Sequence, residues 1–459
     1  MARRMNRRSF VGTSAAVGGG FFALSGVETR LFAYQSPLEK VRIAGIGVGG
    51  KGSSDIDQGG NAGDVVAICD IDEGHLNSKA KKFPNAKKYF DFRKMLEEMN
   101  KSIDAVIVST PDHTHAVATA MAMRMGKHAY VQKPLTHTVK EARVLRELAR
   151  EKKLCTQMGN QGTAENGLRT AVELIRAGVI GQVREVHVWT NRPVWPQSPT
   201  IKARFAENPA VPASIHWDEF IGPSAMRPYN PGYHPFKWRG WWDFGTGALG
   251  DMACHTANMA FMALKLGYPT SVVAENEELN PETYPAWAHV TTEYPARDSM
   301  GPVTFHWYEG RLNGKLVHPP EALQKKVLKQ GEKLVNSGSI LVGDKGIIHS
   351  PNDYGAAFRI SNPDGSPMET PKVDQVLPRN GKGDQGQKDE WIRAIKENKP
   401  ELALSNFDYA GMLTEATLLG NVAMRAGKKL MWDGPGMKFT NAAEANAFLH
   451  FEYRKGWTL

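Results

Sequence analysis

Short apolar runs alternate with polar, helix-forming stretches through the first third of the chain. Runs at 41–46, 65–69, 104–109, 128–131 and 154–158 are short, apolar and rich in β-branched or small residues, which predicts buried strands. A further short strand is expected around 88–90, and helical patterns fall near 73–82, 92–100, 115–125 and 140–152. Strands and helices alternating at this spacing predict a parallel, doubly wound sheet. After Gly159 the texture changes. A helix over 168–177, ended by Gly178, and an alternating strand over 183–191 precede residues 192–242, which are rich in Pro and Trp and lack a period. One helix is predicted over 248–266, stopped by Gly267 and Pro269. Strands near 271–276, 288–294, 302–308, 339–342 and 346–349 predict a second, largely antiparallel sheet with an insertion at 310–335. Helices over 387–397 and 409–425 follow. The expected fold is α/β, with a Rossmann-type parallel sheet over 34–158 and an α/β domain built on a large open sheet over 159–459.

The turn after the first strand carries the first chemistry. Val41-Arg-Ile-Ala-Gly-Ile-Gly-Val-Gly-Gly-Lys-Gly52 holds two overlapping glycine fingerprints, starting at Gly45 or at Gly47. The second leaves six strand residues intact. Gly47 then makes the tight turn, Gly49 admits a pyrophosphate, and Gly52 lets the helix sit close to the strand, with Gly50 beside them. The helix N-terminus offers N–H groups and a positive dipole end to phosphates. Asp70 ends the next strand, 23 residues after Gly47, where an acid binds an adenosine ribose. No Arg follows to receive a 2′-phosphate, so NAD is favoured over NADP. Asp70 also reads as a turn or helix-capping residue.

Composition narrows the class. Hydrophobic content of 41% and charged content of 23% are those of a globular protein. Arg3, Arg4, Arg7, Arg8 and Arg30 against Glu28 account for +4 of the formal +9, so the body is only modestly basic. No single-sign run argues for nucleic acid. Asn6-Arg-Arg-Ser-Phe-Val11 followed by a Gly/Ala-rich apolar stretch reads as a twin-arginine export signal over residues 1–33, hence a periplasmic or cell-surface protein. A disordered basic N-terminus is the alternative. No stretch is long and apolar enough for a stable membrane span. Cys69, Cys155 and Cys254 read as small core residues, and no metal-type cysteine spacing exists.

Three phrases are more specific. Ser109-Thr-Pro-Asp-His-Thr-His115 and Tyr130-Val-Gln-Lys-Pro-Leu135 end successive parallel strands, and Asp251-Met-Ala-Cys-His255 lies on a helix in the second half. Together they resemble the glucose–fructose oxidoreductase / inositol dehydrogenase (Gfo/Idh/MocA) family over roughly residues 38–430. The resemblance implies a nicotinamide cofactor between the two domains and pairing of a sheet face into a homo-oligomer. Lys133 matches the lysine of the family's Glu-Lys-Pro motif, which bonds the reacting hydroxyl or carbonyl, although Gln132 stands where the family has Glu. Asp251 and His255 match its Asp-x-x-x-His pair, with His as acid/base and Asp orienting. On residue type alone, an ammonium in the crevice can polarise a carbonyl. An imidazole can exchange a proton near neutrality, and i,i+4 spacing puts it on the same helix face as Asp251. That spacing also suits metal ligands, but no third ligand is evident and no metal is expected. Thr110 and Pro111 fall beside the cofactor. His113 and His115 read equally as cofactor neighbours or as packing residues, and Lys51 as a pyrophosphate contact or a solvated side chain.

Six of the eleven tryptophans lie from Trp189 to Trp242. Arg192, Trp195, Tyr233, His234, Trp238, Arg239, Trp241 and Trp242 suit the faces and hydroxyls of a sugar, or an aromatic subdomain core. Asn160 and Gln161 follow a strand end and are placed near the nicotinamide amide. Free NAD is scarce outside the cytoplasm, so an exported enzyme should retain and recycle its cofactor. The expectation is an NAD-dependent sugar oxidoreductase. The alternatives are an NAD-dependent glycosidase working by transient oxidation and elimination, and a non-catalytic carbohydrate-binding protein on a dehydrogenase fold.

Overall fold

The computed structural model describes residues 39–459, and the proposed export signal lies outside them. Residues 40–459 form one compact unit. Its first sheet is built from β1 (Arg42–Ile46), β2 (Asp64–Cys69), β3 (Lys87–Tyr89), β4 (Ala105–Val108), β5 (His128–Val131) and β6 (Thr156–Met158). Their order is β3-β2-β1-β4-β5-β6, all parallel. The order in which strands are added reverses between β1 and β4, so a crevice opens at the C-terminal ends of these two strands. The crossover helices are α1 (Gly50–Ala62), α2 (Glu73–Lys82), α3 (Phe92–Glu98), α4 (Asp112–Arg124) and α5 (Val139–Lys152). Helix α4 begins three residues before the predicted start, because Pro111 already supplies the extended residue that precedes a first turn.

The second half contains α6 (Asn166–Arg176), β7 (Val183–Thr190), α7 (Trp217–Ile221), α8 (Gly247–Thr256) and α9 (Asn258–Ala263). Strands β8 (Ser271–Asn276), β9 (Trp287–Tyr294), β10 (Val303–Leu312) and β11 (Lys315–Leu316) come next, then helix α10 (Glu321–Val327). The remaining elements are β12 (Ser337–Gly343), β13 (Ile347–Ser350), β14 (Arg359–Ser361), α11 (Gly383–Glu397), α12 (Phe407–Ala426), β15 (Leu430–Asp433) and β16 (Lys438–Phe439). Ten strands form one sheet in the order β14-β13-β12-β7-β10-β9-β8-β15-β16, with β11 paired to β10. All pairings are antiparallel except β7 with β10.

Two details depart from the pattern reading. The helix expected over 248–266 is two helices, broken at Ala257. Just past the break, the buried Asn258 donates to Thr163 and accepts from Tyr409. And the second half completes part of the core of the first. Trp391, Ile392 and Ile395 of α11 join Val41, Ile43, Ile107 and Tyr130 in one core beneath the parallel sheet. The insertion after β10 lays Leu323, Val327, Leu328 and Leu334 over Trp189, Tyr308 and Ile340, covering part of the outer sheet face. All three cysteines are buried and free. Among the described residues, no helix is long and apolar enough to cross a membrane.

Candidate active site

A groove of 420 Å³ follows the strand ends from the glycine turn to Lys133. Gly47 sits at φ +77, and a side chain there would press to 2.8 Å from the Ser109 backbone. A Cβ at Gly52 would lie 2.0 Å from the Gly47 carbonyl. Helix α1 starts at Gly50, and its N-cap, Gly49, has no side chain to cap the first turn. Gly47 is common to both registers, and the Gly52 constraint belongs only to the one that begins at Gly47. Asp70 lines the groove and holds this turn, accepting from Val48 N at 2.7 Å and Gly49 N at 3.0 Å. The ring of His75 fills the space beside Gly49 that a Cβ would take.

Behind the groove floor sits Asp55, fully buried on α1. One oxygen accepts from Lys51 and Lys388, each at 2.9 Å. The other accepts from Ser109 at 2.9 Å and from the Gln132 amide at 2.8 Å. Four donors meet the roughly four lone-pair sites of a carboxylate. Burial alone would raise this carboxyl, but Lys388 and Lys51 outweigh it and hold it below its ordinary value. The site therefore does contain a buried acid next to position 132. It comes from α1 instead of the strand end, and Gln132 is the neutral donor that fits against it. Lys51 is tied to Asp55 and, at 3.0 Å, to Asp384.

At the other end of the groove, Lys133 Nζ donates to the Asp251 carbonyl at 2.8 Å and to Asp251 Oδ1 at 2.9 Å. Arg239 Nε approaches the same Oδ1 at 3.2 Å and its guanidinium stacks on Trp238 and Phe236. Burial favours the neutral acid, yet Lys133 and Arg239 prevail and bring Asp251 down to about 2. His255 lies one turn further along α8. Neither of its ring nitrogens has a partner among the described residues, and its Nδ1 is buried. Burial, then the Lys133 charge, pushes its pKa well below the ordinary value, so the ring is neutral. Tyr354, on the loop after β13, packs against it with ring centroids 4.7 Å apart.

Polar residues of the 109–115 phrase hold these parts in register. Asp112 Oδ2 accepts from Thr246 N at 3.0 Å and Thr246 Oγ1 at 2.6 Å, at the start of α8. His113 faces the carbonyls of Phe220 and Phe244. His115 bridges the Thr110 and Pro134 carbonyls, each at 2.8 Å, and so ties the loops after β4 and β5 together. Both rings are fully buried and work as packing clamps; Thr110 and Pro111 line the groove beside them.

The aromatic stretch divides. Trp238 and Arg239 line the groove with His234 and Phe236. Trp238 also belongs to the aromatic cluster in which Tyr233 and Trp241 are buried with Trp217, Phe220 and Phe244. Trp195 is buried, its Nε1 donating to Gln197 at 2.7 Å. Arg192 is half-buried and close enough to influence His255 electrostatically. Trp242 packs against Tyr284 and lines a different cavity. Asn160 is fully buried with its amide engaged by Cys254 O and Ser405. Gln161, beside it, keeps both amide atoms without partners among the described residues.

Pattern reading missed the roof. Residues 214–216 pair with the chain after β2: Glu73 N donates to Ser214 O at 3.0 Å and His216 N to Ile71 O at 2.9 Å. The His216 ring stacks on Phe90 at 3.9 Å. The C-terminal segment then clasps this strap. Arg454 forks onto Asp218 at 2.7 and 2.9 Å, and Trp457 lies under Arg93. Glu219, Phe220 and Trp457 thereby line the groove at the end that Asp70 occupies. These contacts join residues more than a hundred positions apart and leave no local signal.

A model of an oxidoreductase family with an NAD-binding Rossmann fold matches residues 40–160, and a model of that family's C-terminal alpha/beta domain matches residues 169–300. A glycosyl hydrolase family 109 protein of Akkermansia muciniphila is 32% identical over 158 residues, 32% of each protein. The chain spans about a third of the length of such curated relatives. Among solved structures, an inositol dehydrogenase homolog from Azotobacter vinelandii, complexed with NADH and myo-inositol, superposes with a TM-score of 0.55 at 15% identity. That match covers 86% of this chain and 98% of that one. An aldose-aldose oxidoreductase from Caulobacter crescentus, complexed with glycerol, gives 0.57 at 15% identity, covering 86% and 100%. At these identities the structural likeness is one of fold. The two family models adjoin, follow the two sheets in order and together span more than half of the chain, and on that ground the chain belongs to the Gfo/Idh/MocA oxidoreductase family.

Proposed function

We propose that the protein is an exported NAD-dependent oxidoreductase that acts on a sugar or sugar derivative and keeps its cofactor bound between turnovers. The observation that carries this reading is the Lys133–Asp251–Arg239 cluster at the groove's edge. An ammonium has three N–H donors and Lys133 spends two on Asp251, so one is left for a substrate oxygen. Asp251 Oδ2 has no partner among the described residues and is left for a substrate hydroxyl.

The groove residues fit the cofactor. The uncapped first turn of α1 leaves backbone N–H groups for a pyrophosphate. Asp70 holds the turn with one oxygen and accepts from Asp72 N with the other, which leaves that second oxygen a lone pair for a ribose hydroxyl. When bound, NAD supplies the hydride acceptor and donor. Lys133 polarises the reacting oxygen and stabilises charge that develops on it. His255, neutral and without another partner among the described residues, takes the proton of an alcohol and returns it on reduction. Arg239, braced by Trp238 and Phe236, fixes Asp251 and offers further donors to a polyhydroxylated ligand. The strap and its C-terminal clasp support retention, since they roof the end of the groove that Asp70 marks. The twin-arginine sequence supports export. A second reading, glycoside cleavage without net redox change, is favoured by the match to the family 109 protein.

The test is to denature the purified, folded protein and identify any released nucleotide by absorbance and mass, then to assay sugars and chromogenic glycosides. Released NAD, with turnover abolished by His255→Ala, supports the proposal. Cleavage of a glycoside without net NADH selects the second reading. No nucleotide released and none bound from solution would end both.

A further inference from the structure

A second cavity, 250 Å³, lies against the segment that carries Trp242 to Thr246. That segment is a shared wall. Asp112 of the catalytic groove bonds Thr246 N and Oγ1. His137 and Asn421 of the second cavity bond the carbonyls of Trp242, Gly245 and Thr246.

Its polar lining is unfinished in a consistent way. His137 Nε2 faces two carbonyls, at 3.0 and 2.9 Å, so it carries the proton and Nδ1 is an acceptor. That Nδ1 is buried with no partner among the described residues. Asn421 is 8% exposed; its Nδ2 donates to Thr246 O at 2.9 Å, which turns Oδ1 away as a second buried acceptor without a partner. His450 Nδ1 is a third buried nitrogen in the same condition. Buried polar atoms are as a rule paired, and three orphans around one cavity require an account. The His137 nitrogen and the Asn421 oxygen lack hydrogen-bond donors, which hydroxyls can supply. At the mouth, the Arg425 guanidinium rests between Phe448, 4.2 Å away, and Trp242, 5.4 Å away, and makes no hydrogen bond or ion pair among the described residues. A planar guanidinium held on aromatic faces with its donors free is suited to a carboxylate. Asp243 and Glu452 also line the cavity, and their charge disfavours a dianion such as a phosphate ester.

We propose that this cavity is a second small-molecule site, separate from the catalytic groove, for a polyhydroxylated monocarboxylate of the sugar-acid class. The carboxylate pairs with Arg425, and hydroxyls donate to His137 Nδ1 and Asn421 Oδ1. Trp242 and its neighbour Tyr284, with ring centroids 3.7 Å apart, supply the apolar wall.

Calorimetric titration of the full chain with sodium D-gluconate, with sorbitol as its neutral counterpart, tests the proposal. Saturable gluconate binding is expected. It should weaken at least tenfold in Arg425→Gln and in Asn421→Leu and persist in Lys133→Ala. Sorbitol should bind at least tenfold more weakly than gluconate. Arg425 lies on the exposed end of α12, so Arg425→Gln keeps a folded chain, which circular dichroism verifies. No saturable binding, equal binding of sorbitol, or binding lost in Lys133→Ala but kept in Arg425→Gln would overturn it.

Discussion

Two carboxylates flank the cleft, each on a helix and each facing two cations, yet they are built for different ends. Asp55 is sealed, with four donors on its two oxygens and Lys388 buried beside it. Among the described residues Asp251 keeps one oxygen without a partner, and its lysine keeps one donor in hand. A saturated ion pair has nothing left to offer a ligand and serves as an anchor. An unsaturated one at a cavity edge is chemistry waiting for a substrate. The difference lies in the unused donors and acceptors, which neither burial nor charge alone reveals.

The largest effect should fall on the open cluster. Lys133→Ala is expected to lower kcat/KM by about 10³, within the range for a group that polarises or protonates a reacting atom. Its urea midpoint should move little, because Asp251 retains Arg239. Steady-state kinetics on whichever sugar is turned over, together with urea denaturation, measures both. A variant that stays fast would remove the distinction drawn above.

The sealed cluster should fail the other way. Asp55→Asn leaves Lys388 without a counter-charge in a fully buried setting, and breaking such a pair costs about 3–5 kcal/mol. Chemical denaturation should register that loss. Activity per folded molecule should fall far less than in Lys133→Ala. Unchanged stability would mean that Asp55 does not anchor α11 to α1.

These clusters differ as much in how legible they are. Gly47, Lys133, Asp251 and His255 sit in short phrases whose spacing already assigns them to strand ends or one helix face, and the alternation of strands and helices gave the parallel sheet. Asp55 and Lys388 are 333 positions apart, so no window reading joins them. The same holds for the clasp between Arg454 and Asp218. Within 192–242 no period exists to separate inward rings from outward ones. Trp241 went to a core and its neighbour Trp242 to a second cavity because tertiary packing chose between them. The break at Ala257 was equally hidden, since apolar residues run through it on both sides.

A smaller change sharpens the account of Gln132. Gln132→Glu replaces a donor 2.8 Å from Asp55 with a second acid. Like charges at that distance repel, and the Asp55 oxygen loses a donor, so a destabilisation of about 2 kcal/mol is expected. Combined with Asp55→Asn, the loss should be smaller than the sum of the two single losses, because the pair then has one acid and one amide with the roles exchanged. A double-mutant cycle by urea denaturation reads the coupling directly. Additive losses would mean that position 132 tolerates its acid for reasons unrelated to Asp55.

Asp112 is the third buried carboxylate of the cleft, and it isolates what the other two share. It accepts two hydrogen bonds, both from neutral donors on Thr246. Without a bonded cation, burial dominates and lifts its pKa from 3.8 to about 7, whereas paired cations bring Asp251 to about 2. The sign of the consequence follows from linkage. Between about pH 4 and 7 the unfolded chain has released this proton and the folded chain still holds it, so this group makes folding less favourable as pH rises through that window. Below the window both forms are protonated, and above it the penalty is constant. Asp112→Asn keeps an oxygen acceptor for Thr246 and removes the titration. Its stability relative to the parent should therefore climb from pH 4 to 7 and level off, by at least about 1.4 kcal/mol, the equivalent of one pKa unit. Urea denaturation of both chains at half-unit pH steps measures the difference. A flat difference would show that Asp112 is ionised throughout, and that buried neutral donors in this cleft do what the two cation pairs do.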